Sequence, residues 1–472
     1  MATVLMVTHG TAGDVLPFAR IGSALARQGH EVTLCTHAPY ERTARRAGLD
    51  FAAVDTGESY VDMLAGSAEL LAVRHPADLR RFYQRSGLFA QMRREVDLLA
   101  ERHRPDRTVL VGRHTSALSV RIAADLLGAP AAWVAVAPVQ LVVAPVAAAH
   151  AARGLAGGID EVRAEVGLAP VGDWSGWLRP AHTIGLWPRW FEEAGTPTRA
   201  ELAGFVTGDE LAGFAEPTGT EPTGAKPAGT EPGATEPTAT EPAGTEPTGS
   251  EPEVPAEVAA LLAGDQPPVL VTGGTGQLLH ERFYPVALDA VARTGRAGLV
   301  VTPDRAVLPD RLPAGLHWYP RLPFPAIFPR VAAVLHHGGI GTAVRALRSA
   351  TPQVIMAYGA DRPDNAERLA AHGLARWTAE HEWSAPAVAA QLDGALADRG
   401  YRDRATRYTG EPEHAAPLRA TRLIASLVDG SAGAGAASGG PTEANAGGEL
   451  PRRLRQLSPQ QRALLLRRLR GA

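Results

Sequence analysis

The 472-residue chain has a single cysteine, Cys35. Disulfides within the chain and thiolate-based metal sites are thereby excluded, and a reducing compartment fits this usage. Charge is also sparse: 21% of residues are charged and the formal net charge is −3. A nucleic-acid-binding face normally needs a marked basic excess, so no nucleic-acid partner is expected. A long apolar run is missing too. The longest such stretch, 129–149, is interrupted by Pro130, Pro138 and Pro145, whereas a bilayer-spanning helix needs about 20 predominantly apolar residues. It reads as a core strand followed by a loop. At the N-terminus Val4–Thr8 already has the pattern of a buried strand and is followed by the turn residues Gly10 and Gly13. That leaves no room for a signal peptide, and a cytoplasmic protein is expected. His75, His103 and His150 show no metal-ligand spacing, so no metal is expected.

Hydrophobic residues make up 45% of the chain, enough for two cores. Strand-like and helix-like segments alternate. VLMVTHG is a strand and turn, Val15–Gln28 has helical spacing, and His30–Thr36, PDRTVLVG and AAWVAVAP are strands. The second half repeats the scheme with PPVLVTGG, a helix over Tyr284–Thr294, GLVVT, VAAVLHHGG, a helix over Thr342–Arg348, and PQVIMAYG. Such alternation predicts an α/β chain with two parallel, doubly wound, Rossmann-like domains, 1–213 and 254–429, facing each other across a cleft. Between them, 214–253 is built from repeats such as TEPTG and TEPAG with almost no apolar side chains, and is expected to be a disordered linker. A Gly/Ala/Ser-rich linker, 430–448, leads to 449–472. There Ser458, Pro459 and Gln461 form a helix start. Leu464, Leu465 and Leu469 give an apolar stripe beside Arg462, Arg467, Arg468 and Arg470. An amphipathic basic helix is expected, docking on a partner, on its own body, or on an anionic surface without stable membrane insertion.

The segment richest in chemistry is Val334–Gly373. A buried strand ends in His336 and His337; Gly338, Gly339 and Gly341 allow close approach of a ligand to the backbone; Thr342 opens a helix. Unpaired N–H groups and the macrodipole at a helix start form an anion site suited to a diphosphate. This segment, reading HHGGIGT, then ATPQ, then Asp361, Arg362 and Asn365, closely resembles the donor-binding signature of family-1 glycosyltransferases. The family includes bacterial antibiotic-decorating enzymes and sterol glucosyltransferases. The resemblance runs from the N-terminus to about residue 428 and implies a GT-B fold.

The same resemblance implies roles. His336 would contact the donor diphosphate, with Gly338, Gly339, Gly341 and Thr342 lining it, and Asp361 would hold sugar hydroxyls. The next position is normally Gln in the family and is Arg362 here, which leaves the sugar open. In VTGGTGQ, Gly273, Gly274 and Thr275 would approach the donor. The base-binding loop would be His317–Val334, with Arg321 near the base and Trp318 either stacking on it or packing the domain. In the acceptor domain, THGTAGDVLPF carries Asp14 where many relatives have a His. Asp14 would be the catalytic base, or a helix cap; His9 and Gly13 are acceptor-side residues. Relatives with a His base usually pair it with an Asp near VLVG, where Gly112 and Arg113 stand, so no His–Asp dyad is expected. The acceptor pocket would come from Ser59–Arg94 and Gln140–Trp190. There Trp174, Trp177, Trp187 and Trp190 either offer an aglycone surface or form core.

The activity implied is inverting transfer of a sugar from a nucleotide-sugar co-substrate, with no cofactor, to a hydroxyl of a small hydrophobic natural product. Sterol or lipid glucosylation, a non-catalytic nucleotide-sugar-binding partner protein and a sugar-nucleotide epimerase are the alternatives. The 458–470 segment resembles the helix at the entrance of condensation domains in peptide assembly lines, which implies a possible assembly-line partner.

Overall fold

The computed structural model describes residues 1–66, 73, 75–179, 181–208, 254–274 and 279–427. Thr275, the whole 214–253 repeat, the 430–448 linker and the helix expected over 458–470 lie outside these residues. Among the described residues, thirteen strands form two sheets. The first contains β1 (Thr3–Val7), β2 (Glu31–Thr36), β3 (Asp50–Ala53), β4 (Thr108–Arg113), β5 (Ala131–Ala135), β6 (His182–Gly185) and β7 (Glu201–Leu202), in the order β3-β2-β1-β4-β5-β6-β7. The second contains β8 (Val269–Thr272), β9 (Gly298–Val301), β10 (Leu316–Tyr319), β11 (Ala333–His336), β12 (Gln353–Ala357) and β13 (Arg376–Ala379), in the order β10-β9-β8-β11-β12-β13. Every pairing is parallel, with Val4 opposite both Val32 and Val109, and Leu335 opposite Val271.

The strands are near-continuous apolar runs because helices cover both faces. β1 is buried throughout as TVLMV, and β12 as QVIMA. Chain order reverses between β1 and β4 and again between β8 and β11. In open parallel sheets the loops leaving the strands diverge at such a reversal and open a crevice at the carboxyl ends. The candidate residues of both domains lie at these two reversals.

The loop expected after β5 is instead two helices, Pro138–Val142 and Ala144–Gly154. Pro138 and Pro145 stand in their first turns, where a missing N–H costs nothing. The second-domain helix also starts earlier than its Thr342 signal, at Ile340.

A joint unites the domains. Trp190 packs against His372 and Tyr408, and the His372 ring nitrogen bonds the Trp190 carbonyl at 3.1 Å. Arg368 is 1% exposed; it pairs with Asp364 at 2.8 Å and donates to the carbonyls of Phe191 and Glu192. The Ala415–Ser426 helix follows the second sheet in sequence, yet it packs on the first-domain helix Ala12–Arg27. Ala416, Ala420, Ile424 and Leu427 recur on one face and join that domain's core. Packing and sequence order thus divide the chain differently at its last described helix.

The tryptophans are structural. Trp187 is fully buried and donates to Glu192 at 2.6 Å, Trp177 donates to Asp125 at 2.8 Å, and Trp174 packs edge-on against Trp177. Trp190 belongs to the joint. Of the two expected roles, aglycone surface or core, their packing fits core and interdomain packing.

Candidate active site

In the first domain the site is the turn joining β1 to the Ala12–Arg27 helix. Gly10 has φ +121°, a conformation that favours glycine, and a Cβ there would fall 2.2 Å from Asp14 Oδ2. The turn is held from several sides. The Gly10 N–H donates to His37 Nε2 at 2.9 Å, and Tyr60 donates to the Gly10 carbonyl at 3.4 Å. The Thr8 hydroxyl donates to the Asp14 carbonyl at 3.0 Å. Asp14 is the third residue of the helix. Its Oδ2 accepts the Thr11 N–H at 3.0 Å in a capping box, and its Oδ1 pairs with Arg113 at 2.5 Å, at the end of β4. The capping geometry anticipated for Asp14 is therefore present, with an ion pair added. Gly13 is exposed, and a Cβ there would meet nothing.

Two histidine–carboxylate pairs lie beside this turn. His9 Nε2 meets Glu95 Oε1 at 2.7 Å, and His37 Nδ1 meets Asp55 Oδ2 at 2.6 Å. The absence of a dyad, inferred from Gly112 and Arg113, is corrected: the carboxylates come from the Leu88–Arg102 helix and from the segment after β3, not from the end of β4. His37 accepts the Gly10 N–H, so its own proton sits on Nδ1 facing Asp55. Burial, outweighing the Asp55 contact, lowers its pKa and keeps the ring neutral.

Nothing in LFAQMRREVDLLAER marked Glu95 as more than a helix-surface charge. A signal existed, however. Gln91 and Glu95 share the buried face with Met92, Val96 and Leu99, and a carboxylate inside an apolar stripe must have partners.

In the second domain the site lies where β8 and β11 end. Gly274 has φ +75°, and Cβ atoms built at Gly274 or Gly339 would each fall 2.5 Å from the His337 ring. His337 is thus wedged between the two glycine turns. Burial and then Arg362 lower its pKa well below the usual range. The Gly273 N–H donates to the Tyr284 hydroxyl at 3.1 Å. Gly338 has φ +95°, and a Cβ there would press on Ile355 and Arg362.

His336 is fully buried. Its Nδ1 accepts the Gly338 N–H at 3.2 Å, and its Nε2 meets Gln353 at 3.0 Å. Both nitrogens are occupied, so the side chain shapes the glycine turn. Burial lowers its pKa to about 4. The Ile340–Arg348 helix begins immediately beyond. Its first N–H groups, at Ile340, Gly341 and Thr342, precede the intrahelical bonding, which begins with Ala343 N–H to the Gly339 carbonyl at 3.1 Å.

Asp361 Oδ2 accepts from Asn365 Nδ2 at 2.9 Å, and Asn365 also donates to the Gly338 carbonyl at 3.2 Å. Asn365 Oδ1 is buried with no hydrogen-bond partner. Arg362 is buried and donates to the Tyr358 carbonyl at 3.3 Å. Burial lowers its pKa, opposed by the charges of Asp361 and of Asp14 from the other domain. That influence across the domains brings the two strand-end sites to one cleft.

Arg321 is exposed beyond β10. Trp318 packs the domain instead of standing free, its indole N–H bonded to the Thr302 carbonyl at 2.9 Å. Among the described residues no group of three His, Cys, Asp or Glu side chains could hold a metal, and no helix is long and apolar enough to cross a membrane.

Residues 4–132 match the glycosyltransferase family 28 N-terminal domain, and residues 287–427 match the erythromycin biosynthesis protein CIII-like C-terminal domain. The chain is 35% identical to O-mycaminosyltylonolide 6-deoxyallosyltransferase of Streptomyces fradiae over 155 residues, 32% of this chain and 36% of that one. It is 30% identical to a sterol 3-beta-glucosyltransferase of Arabidopsis thaliana over 124 residues, 26% of this chain and 20% of that one. The matched segments thus span about a third or less of these relatives' lengths. The fold is similar to that of the glycosyltransferase VinC, solved with dTDP. The TM-score is 0.61 at 18% identity, covering 90% of this chain and 99% of that one.

Proposed function

From a chain that carries an N-terminal glycosyltransferase family 28 domain and an erythromycin-CIII-like C-terminal domain on a GT-B fold, we propose that this protein moves a sugar from a nucleotide-sugar donor to a hydroxyl of a small hydrophobic natural product, with inversion. One observation carries the reading. The unpaired N–H groups opening the Ile340–Arg348 helix and the proton-accepting side chains of the Thr8–Asp14 turn stand at the two sheets' reversals, and the Asp14 charge acts on Arg362 across the cleft.

The donor diphosphate sits on Ile340, Gly341 and Thr342, where the helix dipole and N–H groups favour negative charge. Gly273, Gly274, Gly338 and Gly339 keep the approach open. Asp361, held by Asn365, and the buried Arg362 face the sugar, with Arg321 nearer the nucleotide. His336 acts through the turn it holds. In the reaction the acceptor hydroxyl gives its proton to a base on the Thr8–Asp14 turn, either Asp14 or His9. Its oxygen bonds the anomeric carbon from the side opposite the diphosphate. The carbon–oxygen bond to phosphate breaks, and its electron pair leaves with the nucleoside diphosphate, whose growing charge the helix start stabilises. No cofactor takes part.

Calorimetry with a panel of UDP-, dTDP- and GDP-sugars tests the donor site, and NMR of the product anomer tests inversion. One bound nucleotide sugar and an inverted product are expected; failure of every donor to bind, or a retained anomer, refutes the reading. The similarity to sterol glucosyltransferases supports a second reading, a sterol acceptor. Transfer to sterols in preference to polyketide or peptide aglycones would establish it.

A further inference from the structure

The Thr8–Asp14 turn offers two proton acceptors, and the structure treats them differently. Asp14 has both oxygens engaged, Oδ2 by the Thr11 N–H at 3.0 Å and Oδ1 by Arg113 at 2.5 Å. Protonating it would release Arg113 and loosen the first turn of the helix. His9 is built the other way. Its partner Glu95 is buried, and Glu95 Oε1 accepts from Gln91 at 2.8 Å while Oε2 accepts from Ser119 at 2.5 Å. Burial pushes the Glu95 pKa up, but the His9 charge and the hydrogen bonds from His9, Ser119 and Gln91 outweigh it and hold the group below its usual range as a carboxylate. A carboxylate can only accept, so His9 must present Nε2–H to it at 2.7 Å, which places the ring's lone pair on Nδ1. No described group bonds Nδ1, and that atom is not among the sealed, unpartnered ones; the side chain is 14% exposed. His37, 5.8 Å away between ring centres, has both nitrogens occupied and serves to fix Gly10, the residue next to His9.

We infer that the acceptor-activating base is the His9–Glu95 pair: His9 Nδ1 takes the acceptor's hydroxyl proton, Glu95 orients the ring and stabilises the imidazolium, and Asp14 positions the turn through Arg113. This inference rests on the transferase reading above. The proton passes from oxygen to Nδ1, the oxygen forms the bond to the anomeric carbon, and the diphosphate departs with the electron pair. Glu95 remains ionised throughout, the role of a carboxylate behind a catalytic imidazole. The other ionisable groups near His9 are His37, which carries Asp55 and Tyr60 against its far side, and, on the same turn, Asp14 with its partner Arg113.

The test uses the full chain and the nucleotide sugar that calorimetry identifies. Turnover is read as nucleoside diphosphate release with two acceptor probes, water and the 4-methylumbelliferone anion at pH 9. Water needs a base; the anion does not. His9→Asn is expected to lower kcat with water by roughly 10²–10⁴-fold, to leave the donor Kd unchanged, and to recover most of the loss with the anion. Glu95→Gln should lower kcat with water in the same direction. Near-normal water turnover in His9→Asn, or equal losses with both probes, overturns the assignment. A wild-type protein that binds no nucleotide sugar and releases no diphosphate refutes the transferase reading itself. Independently of activity, ¹⁵N NMR should show the Nε2–H tautomer at His9; the Nδ1–H tautomer overturns the pair.

Discussion

Acidification should destabilise the second domain through His336, by an amount that can be worked out. In the folded chain this buried ring stays neutral down to about pH 4, from an ordinary value of 6.5. The unfolded chain therefore binds the proton first. Because the folded pKa is the lower one, the neutral ring's contribution is intact above the ordinary imidazole value. It falls away as pH drops from 6.5 towards 4 and changes no further below that. Linkage gives a loss of about 2 kcal/mol between pH 7 and pH 5, and about 3 kcal/mol by pH 4. His337, also held neutral, acts in the same direction. His336→Asn removes the titration while its side-chain oxygen can still accept the Gly338 N–H. The assay is hydrogen exchange of the β11 and β12 amides in both proteins at pH 7 and pH 5, converted to local opening free energies. The variant should start less stable at pH 7, having lost the bond to Gln353, but its fall between the two pH values should be smaller by about 2 kcal/mol. The same fall in both proteins would refute the reasoning.

Gly274→Ala would drive a Cβ to 2.5 Å from the His337 ring at φ +75°. Donor binding measured by calorimetry should weaken by about 5- to 150-fold, as strain of roughly 1–3 kcal/mol implies; an unchanged Kd would show that this turn does not shape the donor site. Arg368→Met leaves Asp364, 3% exposed, without its cation, and strips the Phe191 and Glu192 carbonyls of a donor. Stability read by urea unfolding should fall by about 3–5 kcal/mol, and adding Asp364→Leu should restore part of it. No recovery in the double variant would show that the buried charge is not the cause.

Several features were legible along the chain because their causes are local. The strands are short apolar runs ending in glycines, as at VLVTGG and VLHHGG, and the intervening helices carry 3.6-residue periodicity. These patterns predict alternating β and α elements, hence two parallel sheets, without any long-range information. The donor turn was legible for the same reason: its glycines, the helix start and Asp361 lie within one stretch of sequence. The Asp14 cap was legible because it spans three residues.

Other features depend on which elements meet, and no window of sequence contains that. His336 stood out as a ligand candidate because it ends a strand beside the glycines; only its contact with Gln353, one strand away, shows its nitrogens to be occupied. The tryptophans suited a binding surface as well as a core until packing placed Trp187 inside and Trp190 in the joint. Glu95 was hidden because its meaning lies 86 residues away, at His9.

The residue sequence by itself thus determined the two Rossmann-like sheets and the glycine turns at their strand ends, since periodicity and backbone freedom act over a few residues. Tertiary structure alone decided that the Ala415–Ser426 helix completes the first core, that Asp14 is committed to Arg113, and that His9 is backed by a buried carboxylate. Each of those depends on groups distant in sequence becoming neighbours, where burial makes a missing partner costly and a present one decisive.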